Sequence, residues 1–579
     1  MIRNKLSKFI MVLVAFAAVA GCSVEPIYYK EVVPNTFFDS QDNVWQRFYR
    51  PFSHWRWYIA SNSPRWNMQE LGTDEVCLPT RGSDWYNGGA YEQWHHHVFT
   101  PQLNGSYEGW YGFAMGVAVA WDALEDIDRF VDFETMRFPE GTRESMVYQL
   151  QTLVASFYLD SLDFFGGVPL YTHTGGEVKA RSTDVETFNF IDSLLTEAIP
   201  NLPLKTTMGA QENGGISRAT GAALKMKLYF NANAYIGKEM WAEAADICRD
   251  IIDGKYGLYE LASDWMDIFG FTNDVCPEII WTVPSQNTRL QTDGGYYSTW
   301  GHYNQRFYLG NIDGLGGNNG YAIAPSLKPD GTRYDYKLGG VFAKFENTDV
   351  RKQPYVYLGG GKYRGMFVIG LQVNPITDGT CLGAREYQGE VINMVDQITY
   401  SKRLGTPEYP TVNDLPSTIL TAEENSGIRL IKRSPMPNLA DRILRENPDI
   451  PIIRLTEVYY TLAECEMRMN NKEEAARLIN TVRKRYFEGG NDPNPVTAAN
   501  LDKYRMLDEW SIEFLGEARR RTYLVRWNAY VTESWWDHVP SNDPNKNKFP
   551  VNERIIGSSN MIEQPPRILI LRTEYIKEK

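Results

Sequence analysis

The chain has 579 residues, enough for several domains of about 150 residues and for a large buried core. Its composition, 43% hydrophobic and 23% charged, is that of a globular protein and excludes disorder, collagen and coiled coil for most of the chain. A formal net charge of −13 argues against a general nucleic-acid binder and against basic adhesion to anionic lipid. Aromatic residues reach 13%, and rigid aromatic area is typical of binding surfaces.

The N-terminus has the pattern of a lipoprotein signal peptide over residues 1–21. Basic residues precede an uninterrupted apolar run over residues 9–20, which is too short to span a bilayer. The run ends in Val-Ala-Gly before Cys22, an arrangement that resembles a bacterial lipobox. We therefore expect cleavage before Cys22, a lipid on Cys22, and an extended tether over residues 22–44.

The other cysteines favour neither a disulfide framework nor a zinc site. Five remain after Cys22, an odd number without any C-x-x-C spacing. No stretch after the signal peptide approaches 18 apolar residues without charge, so the lipid is the one membrane anchor that the sequence predicts. We expect no metal and no cofactor.

Helical periodicity dominates the rest of the chain. The predicted helices, in chain order, cover residues 44–59, 107–130, 144–164, 187–199, 220–236, 241–252, 454–468, 472–485 and 501–527. Between about 270 and 440 long helices are absent, Gly, Tyr and Asn accumulate, and a short β-like run occupies residues 278–283. We predict one mainly α domain over residues 45–579. Its helical scaffold covers about 45–265 and 450–530, and its loop-rich insertion covers about 270–440, where binding residues are common.

Two predicted helix pairs share a spacing of small residues. Ala232 and Ala244 lie twelve residues apart on one pair, and Ala463 and Ala475 lie twelve apart on the other. Small residues at this spacing are typical of tetratricopeptide repeats, although ordinary helical hairpins also produce it. Because the loop-rich region separates the two pairs, a plain tandem solenoid is excluded.

Short motifs appear in a fixed order along the chain. They are DFFGGVPL at 163–170, RATGAAL at 218–224, PEIIW at 277–281, IRLTEVYY at 453–460, and the Glu- and Arg-rich stretch 509–527. In this order the motifs resemble those of the SusD/RagB family of nutrient-binding outer-membrane lipoproteins. The last stretch departs from the family pattern at Trp510, Ala518 and Tyr523, where the family has Arg, Gly and Asp.

The resemblance implies a fold of four tetratricopeptide-like helix pairs that support a loop-rich ligand face with short β-strands. It implies a surface-exposed outer-membrane lipoprotein that is not an enzyme. It further implies that the protein binds an oligosaccharide nutrient and delivers it to a SusC-like TonB-dependent transporter, its expected partner.

The strongest candidate for a ligand loop covers residues 81–94. A sugar ring has apolar C–H faces and a belt of hydroxyls, so its site needs flat aromatic faces alternating with polar groups. The candidate glycan-binding residues of this loop are Arg81, Asp84, Trp85, Tyr86, Asn87, Tyr91 and Trp94. A second cluster, residues 293–303 of the insertion, adds Tyr296, Tyr297 and Trp300. The alternative is that these aromatics pack the loops onto the helices.

Other constellations favour no catalytic chemistry. Three adjacent histidines, His95 to His97, do not converge on one metal ion if the chain is extended. Hydrolysis of a glycoside needs two carboxylates that face each other across a cleft, which the adjacent pairs Asp74–Glu75 and Glu423–Glu424 do not supply. The glycine-rich segment 314–320 lacks the Lys-Ser/Thr of a phosphate loop. The basic run 519–521 lies among glutamates on a predicted helix and is interpreted as a solvated, salt-bridged face.

Three alternatives to glycan delivery remain open at this stage. The chain could be a lipid-anchored helical glycoside hydrolase, a lid of the same transporter type that binds peptides, or a purely structural lid whose aromatics pack on the transporter. The residues do not identify a sugar, a linkage or a chain length.

Overall fold

The computed structural model describes residues 37–60, 63–103, 105–285, 298–311, 315–359, 362–435 and 448–565. The predicted signal peptide, Cys22, Tyr296 and Tyr297 lie outside these ranges. The first described long helix begins at Gln41, inside the predicted tether of residues 22–44, so regular structure starts earlier than the sequence pattern indicated.

Helices form most of the regular structure in these ranges. Numbered in chain order, they are α1 (Gln41–Ile59), α2 (Pro64–Glu70), α3 (Ala90–His95), α4 (Ser106–Phe130), α5 (Thr142–Phe165), α6 (Asp184–Ala198), α7 (Arg218–Phe230), α8 (Ala232–Ile236), α9 (Trp241–Ile252), α10 (Met266–Phe269), α11 (Gln305–Tyr308), α12 (Val341–Lys344), α13 (Leu455–Arg468), α14 (Lys472–Arg483), α15 (Lys503–Phe514), α16 (Arg520–Arg526) and α17 (Glu553–Ser558). Within the described ranges, no helix is both long and apolar enough to cross a membrane.

The long helices pack one on the next in chain order. The contacts run from α1 to α4, α5, α6, α7, α9, α13 and α14 in turn. These eight helices form four consecutive pairs: α1–α4, α5–α6, α7–α9 and α13–α14. The predicted mainly α scaffold of four helix pairs is thereby confirmed. The insertion separates the last pair from the third in sequence, yet α13 packs directly on α9.

Glycines on α4 allow its close approach to two neighbours. A Cβ at Gly112 would lie 2.4 Å from the ring of Tyr58 on α1, and one at Gly116 would lie 2.3 Å from the ring of Phe157 on α5. These distances are far below van der Waals contact, so a larger residue at either position would push the helices apart. The aromatic rings fill the space that the glycines leave.

The strands are short and pair in twos, all antiparallel. They are β1 (Val76–Cys77), β2 (Ile279–Val283), β3 (Ala322–Ile323), β4 (Val356–Gly359), β5 (Lys362–Arg364), β6 (Phe367–Val368), β7 (Gly370–Leu371), β8 (Asn393–Met394), β9 (Arg429–Leu430) and β10 (Ile450–Arg454). The pairs are β1–β3, β2–β10, β4–β5, β6–β9 and β7–β8. Most of them lie in the insertion, as predicted.

The β2–β10 pair fixes the two ends of the insertion to the scaffold. Strand β2 confirms the β-like run predicted at 278–283, and Val283 lies opposite Ile450 of β10. The indole of Trp281 stacks on that of Trp55 in α1, with ring centroids 3.9 Å apart. Strand β10 continues directly into α13. The insertion therefore leaves and rejoins the scaffold at one place.

The single helix predicted over residues 501–527 is wrong, because a turn divides it into α15 and α16. Gly516 and Ala518 in this turn have φ values of 71° and 58°, in the left-handed region. Left-handed residues end an α-helix, and the amphipathic period on either side conceals the break.

The predicted solvated face at 519–521 is also wrong, since all three arginines are buried. Arg520 makes two hydrogen bonds to Asp74, at 2.6 and 2.8 Å, and Arg521 contacts Asp163 at 2.8 Å. The partners lie far away in sequence rather than on the same helix. Spacing along one helix does not reveal such partners, so the sequence pattern suggested a local salt-bridged surface.

Glu513 of α15 is the centre of a buried ionic network. Its carboxylate accepts hydrogen bonds from Arg454 at 2.7 Å, from Arg351 at 3.0 Å and from the Tyr486 hydroxyl at 2.8 Å. Burial opposes ionisation, but Arg454, Arg351 and Arg485 together hold the pKa of Glu513 at about 2. Arg351 belongs to the insertion and Arg454 to β10, so the network joins the insertion to the C-terminal helices.

The departures from the family pattern leave a connected core. Trp510 replaces the family's Arg, and its Nε1 donates to Glu464 at 2.8 Å. Glu464 also accepts from Arg526 at 2.8 Å. Tyr523 packs on Trp510 with ring centroids 4.3 Å apart. The indole N–H of Trp510 thus donates to Glu464 in the buried ion-pair network. At this position the family pattern has an arginine.

Candidate functional site

A surface pocket of about 260 Å³ lies where the N-terminal loop meets the insertion. Its walls are Asp84, Trp85, Tyr303, Gly317, Asn318 and Arg385. We call it the Trp85 pocket. The N-terminal loop and the insertion, in which the sequence analysis places the candidate ligand residues, meet here.

The loop of residues 81–89 has an unusual backbone. The residues Arg81 and Asp84 exchange two backbone hydrogen bonds of 3.0 and 2.9 Å, which close a tight turn. Trp85 then has a φ of 65° and Asn87 a φ of 43°. A bulky residue in the left-handed region costs roughly 1–2 kcal/mol, and such conformations persist where surrounding contacts impose them. The backbone therefore holds Trp85 in a defined orientation.

Contacts with the insertion hold the Trp85 side chain. Its Nε1 donates to the carbonyl of Asn318 at 2.7 Å. Its ring lies so close to Gly320 that a Cβ there would be 3.0 Å from the indole. On the other side, Tyr91 packs edge to face at 6.0 Å and accepts a hydrogen bond of 3.3 Å from Asn87. The half-buried indole is thus fixed before any ligand arrives.

A charged pair with an aromatic neighbour forms the opposite wall. The Arg385 guanidinium pairs with Oδ2 of Asp84, and the Tyr303 hydroxyl donates to the same oxygen at 2.6 Å. The guanidinium also lies over the Tyr303 ring, 4.3 Å from its centroid. Partial burial raises the pKa of Asp84, but the hydrogen bonds from Tyr303 and Arg385 lower it more. Asp84 is therefore ionised at neutral pH.

Glu424 is fully buried and contacts three segments next to the pocket. It accepts from the backbone N–H of Ala384 at 2.5 Å and of Tyr387 at 3.3 Å. Its carboxylate lies 2.8 Å from Nε2 of His302. Its backbone carbonyl accepts from the Asn319 side chain at 2.9 Å.

These contacts make Glu424 a positioning residue for the pocket. His302, Asn319 and Ala384 each stand next in sequence to a pocket residue: Tyr303, Asn318 and Arg385. Burial raises the pKa of Glu424, but the His302 contact and the backbone donors lower it more. Burial lowers the pKa of His302, so a neutral imidazole faces an ionised carboxylate at neutral pH.

Arg81 does not reach the pocket, so its prediction as a ligand contact is wrong. It is 3% exposed, and its guanidinium donates to the backbone carbonyls of Asn319, Glu423 and Ser426. The loop turn points the side chain inward, where it ties the N-terminal loop to the insertion.

Trp94 and Trp300 are core residues, so their prediction as ligand contacts is wrong. Trp94 is 3% exposed and packs edge to face on Phe549, with ring centroids 5.0 Å apart. Trp300 is 1% exposed and packs against Tyr321 at 5.4 Å. Both side chains anchor their segments in the interior. Packing of these aromatics onto the scaffold was the alternative to ligand contact.

The remaining candidates lie at or near the rim. Tyr86 is 51% exposed and Asn87 is exposed, but neither lines the pocket. Tyr91 is half-buried behind Trp85. Of the residues that the sequence predicts as ligand contacts, Asp84 and Trp85 line the pocket in the part of the chain that the structure describes.

Sequence reasoning missed Asn318 and Arg385, which line the pocket. Asn318 belongs to the glycine-rich segment 314–320, whose composition resembles a phosphate loop but carries no signal for sugar binding. Arg385 lies in a polar loop without any motif. Tyr303 closes the aromatic cluster 293–303, and its place in that cluster is the signal that could have selected it.

Two of the three adjacent histidines, His95 and His97, are buried, and His96 is half-buried. Nε2 of His95 lies 3.1 Å from the carbonyl of Trp536, and that of His97 lies 2.8 Å from the carbonyl of Gly72. Burial lowers the pKa of both rings, which are neutral at neutral pH. Across the described residues, no cluster of three or more His, Cys, Asp or Glu side chains is arranged to hold a metal ion.

The protein is a helical-repeat protein with a scaffold of four helix pairs. The N-terminal loop and the insertion form a small aromatic and polar pocket on this scaffold. The chain belongs to the SusD family, whose family model matches residues 277–566. This confirms the resemblance drawn from the motifs.

Relatives and solved structures agree with this assignment. The chain is 23% identical over 432 residues to the starch-binding protein SusD of Bacteroides thetaiotaomicron, covering 72% of this chain and 68% of that protein. Its fold is similar to surface glycan-binding protein A from Bacteroides thetaiotaomicron in complex with laminarihexaose, with a TM-score of 0.59, 17% identity and coverage of 91% and 99% of the two chains. NanU of B. fragilis gives a TM-score of 0.64 at 15% identity, covering 93% and 99%.

Proposed function

We propose that this protein is a non-catalytic, surface-exposed lipoprotein that binds an oligosaccharide in the Trp85 pocket and delivers it to a SusC-like TonB-dependent transporter. The observation that carries the proposal is the pocket itself. It joins a fixed indole to an Asp84–Arg385 pair and an exposed Asn318.

The chemistry of these walls suits a sugar. The indole of Trp85 offers a flat apolar face for the C–H groups of a ring. Asp84 accepts hydrogen bonds, Arg385 donates them, and Asn318 does both. Adjacent hydroxyls of a sugar, which also donate and accept, can bond to such a set. Two similar proteins support the same ligand class, since one is named for starch binding and the other is in complex with laminarihexaose.

Binding without hydrolysis is the function that the acidic residues favour. Glycoside hydrolysis needs two carboxyl groups about 5–10 Å apart on either side of the bond. Asp84 is the one carboxylate among the described pocket residues. Asp74 and Glu75 are 1% and 2% exposed and contact Arg520. A search for new reducing ends after incubation with glycans tests this, and turnover abolished by one carboxylate substitution would favour a hydrolase.

The N-terminal pattern supports the proposed lipid anchor, and family membership supports the proposed transporter partner. A binder held by a lipid on Cys22 does not move its ligand across the outer membrane, so a barrel partner completes the uptake route. A Cys22→Ala protein is expected to lose acylation and to leave the washed membrane fraction. Mild detergent extraction of the native protein is expected to recover a barrel transporter with it, and recovery alone in several detergents would contradict the partnership.

Calorimetric titration with a panel of oligosaccharides tests the site. Loss of an aromatic contact costs about 0.5–1.5 kcal/mol beyond its buried area, so Trp85→Ala is expected to weaken binding roughly 2- to 13-fold from this term alone. Trp57→Ala is the matched control, because Trp57 is 46% exposed on α1 and does not line the pocket. Equal affinities of the two variants, with both folded, would contradict the site. Binding of peptides instead of glycans would contradict the ligand class.

A further inference from the structure

The charges of the Trp85 pocket cancel within its walls. Asp84 and Arg385 are the two charged residues among the described lining, and they pair with each other. The side chain of Arg385 is 53% exposed, so N–H groups beyond the ion pair face solvent. Both contacts to Asp84 use Oδ2. From the described residues, Oδ1 receives no hydrogen bond and is available to a hydroxyl donor.

Beside the pocket, the charge of the buried Arg81 guanidinium is offset in part by the carboxylates of Glu386 and Glu424. Arg81 is buried and directs its guanidinium to backbone carbonyls. Lys402 lies over the ring of Tyr387 and pairs with Glu390 at 2.6 Å. The chain as a whole has a formal net charge of −13, which repels an anionic ligand at long range.

We propose that the pocket selects an uncharged sugar residue with adjacent hydroxyls and rejects uronic acids and sulfated sugars. This inference rests on the proposed function and specifies its ligand class. A neutral diol donates to Oδ1 of Asp84 and accepts from Arg385 without breaking their ion pair. An anionic sugar must either take Arg385 from Asp84 or lie beside the Asp84 carboxylate, and both arrangements cost electrostatic free energy.

The size of the pocket fits one ring of a longer chain. Its volume of about 260 Å³ is below the roughly 300–1,000 Å³ of pockets that enclose a drug-sized ligand. The single indole face likewise serves one ring. Sugars before and after that ring lie outside the pocket, where they contribute less to selection.

The experiment compares neutral and acidic oligosaccharides of equal length by calorimetry. The neutral probes are malto-, cello- and laminarihexaose, and the acidic probes are a hexagalacturonate and a sulfated hexasaccharide. The wild-type chain is expected to bind at least one neutral probe, with less than a twofold change in affinity between 20 and 300 mM salt. It is expected to bind neither acidic probe.

Asp84→Asn provides the decisive variant, because it leaves Arg385 without its anionic partner. This variant is expected to gain measurable binding of an acidic probe that weakens at least threefold over the same salt range. Glu390→Gln is the control, since it removes an acid from an exposed pair outside the pocket and is expected to gain nothing.

The outcomes separate this inference from the proposed function. Binding of an acidic probe by the wild type, lost in Arg385→Ala, would overturn the neutral selectivity and leave glycan binding intact. Failure of the wild type to bind any probe of either class would overturn both. If Asp84→Asn does not fold, the wild-type comparison and its salt dependence still decide.

Discussion

Ala518 carries backbone strain at the position where the family pattern has glycine. Its φ of 58° lies in the left-handed region, which costs a residue with a Cβ about 1–2 kcal/mol. Glycine removes this strain, but its greater freedom in the unfolded chain lowers the free energy of unfolding by about 0.5–1 kcal/mol. We therefore expect Ala518→Gly to raise the free energy of unfolding by up to about 1 kcal/mol, as measured by urea denaturation.

The control is an alanine inside a helix, where replacement by glycine is expected to change the free energy of unfolding in the opposite direction. Ala476 lies within α14, where Ala→Gly costs about 1 kcal/mol. We expect Ala476→Gly to lower the free energy of unfolding. Destabilisation by both substitutions would show that the turn at Ala518 is not strained.

At the scale of single residues, the sequence indicates which residue types suit a sugar site, but it does not show which of these side chains are buried. Trp85, Trp94 and Trp300 all lie in glycine-rich or polar stretches, and each was predicted to contact ligand. The structure leaves Trp85 half-buried in the pocket wall and buries the other two. Their packing partners, such as Phe549 and Tyr321, come from distant parts of the chain, and local sequence carries no sign of them.

At the scale of elements, Glu424 connects the loops that form the pocket. Replacing Glu424 by Gln keeps the shape but turns one acceptor oxygen into a donor, which then faces backbone N–H groups or His302. A hydrogen bond to a charged group contributes about 1.5–3 kcal/mol. We expect Glu424→Gln to weaken oligosaccharide binding about tenfold and to speed hydrogen exchange in residues 383–390.

Glu390, an acid within the loop 383–390 itself, supplies the control for that prediction. Glu390 pairs with Lys402 at 2.6 Å, and its side chain is 54% exposed. Such pairs contribute little, so Glu390→Gln is expected to leave both affinity and exchange unchanged. A change in melting temperature for Glu424→Gln without faster exchange in this loop would contradict its positioning role.

The sequence indicated which loops carry candidate ligand residues but not which contacts hold these loops together. Composition alone pointed to the loop 81–94 and to the insertion, because both combine glycine with aromatic residues. Arg385 and Glu424 belong to polar loops without periodicity or motif. Their roles depend on tertiary contacts with Asp84 and His302, which no local pattern encodes.

At the scale of the whole molecule, Glu513 locks the insertion to the C-terminal helices. Removing one partner of a buried charge network costs about 3–5 kcal/mol, since the remaining arginines are left buried without compensation. We expect Glu513→Gln to lower the free energy of unfolding by this amount at pH 7. Glu474→Gln, which breaks an exposed pair with Arg477, is expected to cost less than about 1 kcal/mol.

The effect of Glu513 depends on pH in a defined direction. Its pKa is about 2 in the folded chain against an ordinary value of 4.5, so its stabilisation is complete above pH 4.5. As the pH falls from 4.5 toward 2, the Glu513 carboxylate takes up a proton in the unfolded chain but stays ionised in the folded chain, so the stabilisation is lost over this range. The difference between wild type and Glu513→Gln should therefore shrink over this range, and a constant difference would contradict the network.

The overall fold was largely predictable because helical periodicity is a local property. Apolar spacing predicts the individual long helices and the strand β2, and the family resemblance carried by the ordered motifs implies the arrangement in four helix pairs. The break between α15 and α16 is concealed by the amphipathic period on either side of the left-handed turn. The burial of the arginines at 519–521 depends on partners such as Asp74 and Asp163 far away in sequence.

The most direct test of the account is a crystal structure of this chain with the oligosaccharide that binds it most tightly. We expect one sugar ring to lie against the indole of Trp85, with adjacent hydroxyls hydrogen-bonded to Asp84 and Arg385. A ligand bound elsewhere on the protein, with the Trp85 pocket empty, would contradict the account.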